Sequence, residues 1–138
     1  MKTHLLWAVI VCLGCADNLQ AQSSKDSEAT TRLVGTWAIP KEYRNATLKG
    51  GETTFKADGT FSSFASVKIN DKQVRIEVQG KWKVEKGVVV QEITKSNKEQ
   101  MVPVGLITRD TILELSDKTY LYRSDKGQER LNVRKSAK

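Results

Sequence analysis

The stretch VRIEVQGKWKVEK, residues 74–86, alternates apolar or small residues with polar ones without a slip. Successive side chains of a β-strand point to opposite faces of the sheet, so the pattern predicts a long antiparallel strand with one face buried and the other in water. Helical periodicity is almost absent from Leu33 onward, which predicts an all-β domain. The buried face would carry Val74, Ile76, Val78, Gly80, Trp82 and Val84, and the solvent face Arg75, Glu77, Gln79, Lys81, Lys83 and Glu85.

Turn-forming residues divide the rest of the chain at short intervals, because Asp, Asn and Gly favour tight reversals. Counted from LVGTWAI at 33–39, they predict eight or nine strands in an antiparallel up-and-down meander. Closing the meander into a small barrel removes its exposed strand edges, and an open sandwich is the alternative. The predicted turns are Asp58-Gly59, Asn70-Asp71, Lys86-Gly87, Ser96-Asn97-Lys98, Arg109-Asp110, Asp117-Lys118 and Asp125-Lys126-Gly127.

Four short segments carry a family resemblance. LVGTW (33–37), FKADGTF (55–61), GKWKVEKG (80–87) and YLYR (120–123) resemble the lipocalin-like domains of small exported bacterial proteins. The resemblance implies a lipocalin-like barrel, here over residues 33–134. It also implies that the Trp of Gly-x-Trp on the first strand, Trp37, packs across the barrel base against a later arginine, for which Arg123 is the candidate. Trp82, in a second Gly-x-Trp strand, is likewise expected in the core.

The N-terminus predicts an export signal. Lys2 precedes an apolar run from Leu5 to Leu13 that is too short to span a bilayer but typical of a secretory signal. The following Gly14-Cys15 resembles the lipobox of bacterial lipoproteins, which implies a signal peptide over 1–14 and a lipid on Cys15. Cys12 departs from that pattern, since the lipobox usually has Leu there. Cleavage after Ala21 and an uncleaved anchor are the alternatives.

Every one of these alternatives places the domain outside the cytoplasm, in the cell envelope or as a periplasmic or secreted protein. A redox or metal-binding role for the Cys12 and Cys15 pair is excluded, because C-x-x-C chemistry needs a folded setting that an apolar signal does not provide. Residues 15–32 are polar and without periodicity, which predicts a flexible tether. Residues 135–138 would form a basic C-terminal tail.

The titratable residues favour a protein that is not an enzyme. The only histidine is His4, inside the predicted signal, so the usual general base, the Ser-His and Cys-His pairings and the commonest zinc ligand are lacking. We predict no catalytic residues, cofactor or metal. Glu77 should face outward, Glu92 and Glu114 have uncertain facing, and an inward Glu could orient a ligand. Turn-capping roles are expected for Asp58, Asp71, Asp110, Asp117 and Asp125.

The net charge of +7 comes from scattered basic residues, which predicts a basic surface that contacts anionic lipid headgroups or cell-wall polymers and no nucleic-acid site. The leading functional hypothesis is a barrel that binds a small apolar or amphiphilic ligand or has a structural role in the envelope. A protein-interaction module, such as an inhibitor or assembly factor, is the alternative, and an enzyme that uses carboxylates alone is a third. Ligand binding requires that Trp37, Phe55, Phe61, Trp82 and the aliphatic residues do not fill the interior.

Overall fold

A computed structural model describes residues 14–136 as one helix followed by eight strands. Each strand pairs antiparallel with the next, and β8 pairs back onto β1, so the sheet is a closed barrel. This confirms the predicted meander and its closure. The elements are α1 Gly14–Leu33, β1 Gly35–Ala38, a 3₁₀ turn Lys41–Tyr43, β2 Leu48–Phe55, β3 Thr60–Ile69, β4 Lys72–Glu85, β5 Val88–Ser96, β6 Ile107–Leu115, β7 Thr119–Arg123 and β8 Glu129–Ser136.

Strand β4 has the alternation that its sequence predicts. Its polar residues from Arg75 to Glu85 are exposed, whereas Gly80 and Trp82 are buried and the apolar residues between Val74 and Val84 are half-buried. Gly80 lies where the register between β4 and β5 shifts. A Cβ there would overlap the backbone carbonyl of Glu92 on β5, so glycine allows the two strands to approach at this point.

The barrel has two different ends. Helix α1 packs at the end that holds the three short hairpin turns, which we call the closed end. The opposite end, the open end, holds three longer connections and one two-residue turn. The closed-end connections are 56–59, 86–87 and 116–118, and the open-end connections are 39–47, 70–71, 97–106 and 124–128.

Helix α1 replaces the flexible tether predicted for 15–32, and that prediction was wrong. The Asp26 carboxylate accepts hydrogen bonds from the backbone N–H groups of Lys86 (2.7 Å) and Gly87 (2.9 Å), and Leu33 is fully buried. The helix is therefore tied to the barrel at a few points without an apolar stripe, which is why its sequence lacks helical periodicity. No helix among residues 14–136 is long and apolar enough to cross a membrane.

The structure describes the two ends of the chain only in part. Residues 1–13 of the predicted signal peptide lie outside the described residues, so the signal and the lipid on Cys15 stay predictions. Of the basic tail predicted at 135–138, Lys135 and Ser136 belong to β8, and Lys135 forms an ion pair with Glu52 on β2, so the prediction was wrong for these two residues. Residues 137 and 138 lie outside the described residues.

The closed end is organised around Trp37. Its Nε1 donates to the carbonyl oxygen of Leu33 (2.8 Å), and the Arg134 guanidinium carbon lies 4.3 Å from the centre of the Trp37 rings. Arg134 also donates to the carbonyl oxygens of Val34 (2.8 Å), Asp117 (2.6 Å) and Arg32. One guanidinium thus joins the end of α1, the start of β1, β8 and the β6–β7 turn.

The arginine expected on Trp37 was therefore misassigned. Arg123 is exposed at the open end, where it forms an ion pair with Glu129 (2.8 Å). Tyr120 and Tyr122 of β7 face the interior, so Arg123, the next residue along, faces outward. Arg134 lies directly opposite Trp37 in the β1–β8 register.

We predict that Arg134→Ala lowers the free energy of unfolding by about 3 kcal/mol, because three carbonyl oxygens and the Trp37 ring lose a charged donor. The matched control Arg123→Ala removes only an exposed ion pair and should change it by less than about 0.5 kcal/mol. Urea unfolding followed by tryptophan fluorescence measures both. Equal losses in the two variants would contradict the role of Arg134.

Candidate functional site

Aromatic side chains fill the barrel toward its closed end. Phe55 and Trp82 have ring centres 4.9 Å apart, and Trp37 meets Tyr120 edge to face at 5.9 Å. Phe61 completes this buried group. Trp37 and Trp82 are therefore core residues, as the sequence predicted, and any ligand in the interior must lie on the open-end side of them.

Polar side chains occupy the interior wall formed by β5, β6 and β7. We call Gln91, Asp110, Tyr120 and Tyr122 the interior polar cluster. Asp110 pairs with the fully buried Val89 in the β5–β6 register, and side chains of directly paired residues share a face, so Asp110 faces inward. Gln91 Nε2 donates to Asp110 Oδ2 (3.3 Å), and the two tyrosine rings stack with their centres 4.7 Å apart.

The prediction that Asp110 caps a turn was wrong. Strand β6 already begins at Ile107, since the chain reverses within the longer connection 97–106 rather than at Arg109-Asp110. Asp58 does cap its turn, accepting from the backbone N–H (2.9 Å) and hydroxyl (2.6 Å) of Thr60. The interior polar cluster was not predicted, because an aspartate can either cap a turn, as Asp58 does, or face the interior, as Asp110 does. Only the β5–β6 register distinguishes these two roles for Asp110.

The Tyr120 hydroxyl has an unusual environment. Tyr120 is only 2% exposed, yet its hydroxyl is buried without a hydrogen-bond partner among the described residues. A buried hydroxyl without a partner costs roughly 1–3 kcal/mol relative to one that is satisfied. Such a group is typical of a position that a ligand or ordered water completes.

The electrostatics of the cluster centre on Asp110. Burial, together with the negative charge of Asp125, raises the pKa of Asp110 to about 6, and the positive charge of Arg130 opposes that rise. Burial and then the Asp110 charge raise the pKa of Tyr120 and of Tyr122. Within residues 14–136, we find no ion pair to Asp110 within 4.0 Å.

The three glutamates considered from the sequence lie away from this cluster. Glu77 faces outward as predicted and accepts a hydrogen bond from Arg75 Nε (2.7 Å). Glu92 and Glu114 are also exposed. An inward carboxylate exists, but it is Asp110. Among the described side chains, no group of three or more His, Cys, Asp or Glu is arranged to hold a metal ion.

A second candidate site is a groove of about 380 Å³ on the outer face of β2 to β5. The Arg75 guanidinium carbon lies 3.7 Å from the centre of the Phe64 ring. The Arg75 side chain also forms an ion pair with Glu77. Arg75 and Glu77 in this groove are thus matched to each other and open to solvent. Its lining includes Glu52, Thr54, Ser62, Phe64, Arg75, Glu77, Gln79, Lys95 and Asn97.

The open end presents large apolar side chains to solvent. Four of them, Met101, Val104, Leu106 and Ile107, belong to the β5–β6 connection or the residue that follows it. Tyr43 and Ile69 lie at two other open-end connections. The open end therefore carries exposed apolar side chains, whereas the cluster inside the barrel is polar.

Comparisons with known proteins support the fold. No family model matches the chain, and no curated protein matches it. A lipocalin-like protein from Bacteroides uniformis is similar in structure with a TM-score of 0.50, at 12% sequence identity over 75% of this chain and 99% of that one. A redesigned β-barrel matches with a TM-score of 0.43 and 16% identity, over 79% of this chain and 96% of its own. The fold is a lipocalin-like, closed eight-stranded antiparallel barrel.

We predict that Asp110→Asn stabilises the protein at pH 7 by about 1 kcal/mol, a value discounted because the carboxylate is only half-buried. The folded pKa of about 6 exceeds the unfolded pKa of roughly 3.9. Ionisation of Asp110 therefore opposes folding, so wild-type stability falls as the pH rises between these two values. Urea unfolding from pH 4 to pH 7 measures the difference, which should vanish near pH 4.

Asp58→Asn is the control, because its expected change in the free energy of unfolding at pH 7 has the opposite sign. Hydrogen bonds from the Thr60 hydroxyl and backbone N–H lower the pKa of Asp58. Its ionised form therefore favours folding, and that contribution is lost as the pH falls, so this variant should be less stable than wild type at pH 7. A pH-independent difference between Asp110→Asn and wild type would refute the assignment of Asp110.

Proposed function

We propose that the chain is an exported, lipid-anchored and non-enzymatic protein that binds a small amphiphilic molecule inside its barrel. The observation that carries this proposal is the buried Tyr120 hydroxyl without a partner, beside the half-buried Asp110. These groups adjoin the aromatic core inside the barrel, where a polar head group would be matched, and the exposed apolar residues of the open end would offer contacts to an apolar chain.

The opposite wall of the interior supports this site. Thr53, Ser63 and Ala65 share the inward face of β2 and β3 with Phe55 and Phe61, yet they are small and only half-buried. Thr53 and Ala65 are therefore less tightly packed than the aromatic residues nearer the closed end, whereas Ser63 also lines the outer groove. A ligand between these residues and the interior polar cluster would span the barrel.

Export and lipid attachment rest on the sequence. Lys2, the apolar run Leu5–Leu13 and Gly14-Cys15 support a lipoprotein signal. A lipid on Cys15 would put the membrane contact at the start of α1, whose 20 residues would act as a spacer of roughly 30 Å. The protein would thus be held at an envelope membrane, with periplasmic or secreted forms as the alternative.

Ligand binding can be tested with a matched pair of threonines. Thr53 faces the interior and Thr54 lines the outer groove, and each makes one hydroxyl contact, to Ser63 (2.8 Å) and Thr36 (2.9 Å) respectively. In the full chain, Thr53→Phe should weaken displacement of N-phenyl-1-naphthylamine by 1-dodecanol about tenfold, because the ring fills the interior. Thr54→Phe should leave it within about twofold.

The same two variants distinguish ligand binding in the interior from the alternative function. In that alternative the protein is an interaction module in the envelope, favoured by the outer groove and its half-buried Phe64. Because the described strands close on themselves, docking at a free strand edge is not available, which leaves the groove and the loops. Loss of binding in Thr54→Phe alone, with unchanged unfolding free energies, would favour the groove and reject the interior site.

The anchor has an independent test. Cells grown with a radioactive fatty acid should label the wild-type protein and not Cys15→Ser, since the thiol is the acceptor of the lipid. Cys12→Ser is the matched control and should keep the label. Label retained in Cys15→Ser, or a mature protein that begins after Ala21, would reject the lipoprotein assignment.

A further inference from the structure

The Asp110 carboxylate faces the interior and forms no ion pair within 4.0 Å among the described residues. The groups that face it are Gln91 from β5, Tyr120 and Tyr122 from β7, Arg130 from β8 and Asp125 from the β7–β8 connection. Of these only Arg130 is positive; it is paired with Tyr122 in the β7–β8 register, but its side chain is exposed and donates to Gln128 (2.8 Å). A half-buried carboxylate in this setting gains most from a ligand that carries a positive charge.

The hydrogen-bonding and aromatic groups around it suit an ammonium. An ammonium has only donors, and the cluster offers acceptors in the Asp110 carboxylate and the buried Tyr120 hydroxyl oxygen, which has no partner among the described residues. The stacked rings of Tyr120 and Tyr122 add electron-rich aromatic surface beside the carboxylate. A ligand carboxylate would instead meet the negative charges of Asp110 and Asp125.

We infer that the ligand is an amphiphilic amine, whose ammonium pairs with Asp110 beside Tyr120 and Tyr122 while its apolar part lies toward the apolar open end. This inference rests on the proposed function, because it names the chemical class that the interior site takes. The exposed apolar residues of the β5–β6 connection, Met101 and Val104 among them, lie at this end of the barrel and would offer apolar contacts to the chain of such a ligand.

Charge pairing makes the binding depend on pH. Below a pH of about 6 the Asp110 carboxyl is mostly neutral, so an ammonium gains less there. A primary amine with an ordinary pKa near 10 stays charged from pH 5 to pH 7. Amine affinity should therefore rise across this interval through Asp110 alone, by up to about tenfold per pH unit well below the carboxyl pKa.

Three probes of equal chain length test the inference in the full chain: dodecylamine, 1-dodecanol and dodecanoate, each displacing N-phenyl-1-naphthylamine below its micelle concentration. In wild type at pH 7, dodecylamine should bind about tenfold more tightly than 1-dodecanol, as expected for a half-buried charge pair. That preference should shrink at pH 5. Asp110→Asn should abolish the preference for dodecylamine over 1-dodecanol.

Asp58→Asn is the matched control, because it removes the same charge at the closed end and should keep the amine preference. Equal affinities for amine and alcohol in wild type would overturn the amine assignment and leave the proposed binding function intact. Tightest binding of dodecanoate, lost in Arg130→Gln, would overturn it in favour of an anionic ligand. Failure of all three probes to bind would reject the proposed function and the inference together.

Discussion

The contact between the Arg134 guanidinium and the Trp37 ring fixes the geometry of the closed end. Arg134 is near the end of the last strand and Trp37 is in the first, so their contact lies at the junction where the sheet closes. The same guanidinium donates to carbonyl oxygens at the end of α1 and in the β6–β7 turn. Barrel closure, helix docking and one hairpin turn therefore depend on a single charged group, held where carbonyl oxygens would otherwise lack partners.

The packing of the interior continues from the closed end. Trp37 packs against Tyr120, and Tyr120 stacks on Tyr122, so aromatic contacts run from the closed end toward the polar cluster. The Tyr120 ring is thus part of the core while its hydroxyl reaches the cluster. An aromatic side chain with an apolar body and a polar end is suited to this boundary. The site proposed for an amphiphile is the region where the packed core ends.

Much of the fold could be predicted from the sequence, and less of the site. The alternation in β4 and the turn signals predicted the strands, their meander and their closure, and Trp37 was expected in the core. The prediction of a tether over 15–32 was wrong because α1 is held by hydrogen bonds that its Asp26 carboxylate accepts, rather than by an apolar stripe. Arg123 and Asp110 were misassigned because their facing depends on pairing with other strands.

The alternation of side chains along residues 74–86 and the lack of helical periodicity were enough to indicate the all-β class, since the backbone of a strand forces successive side chains to opposite faces. Which arginine meets Trp37 and which carboxylate faces the interior became apparent only from the folded barrel. Those choices depend on the register between strands that are far apart in the chain, such as β1 and β8. A shift of one residue would exchange inward and outward positions, and no local pattern records that register.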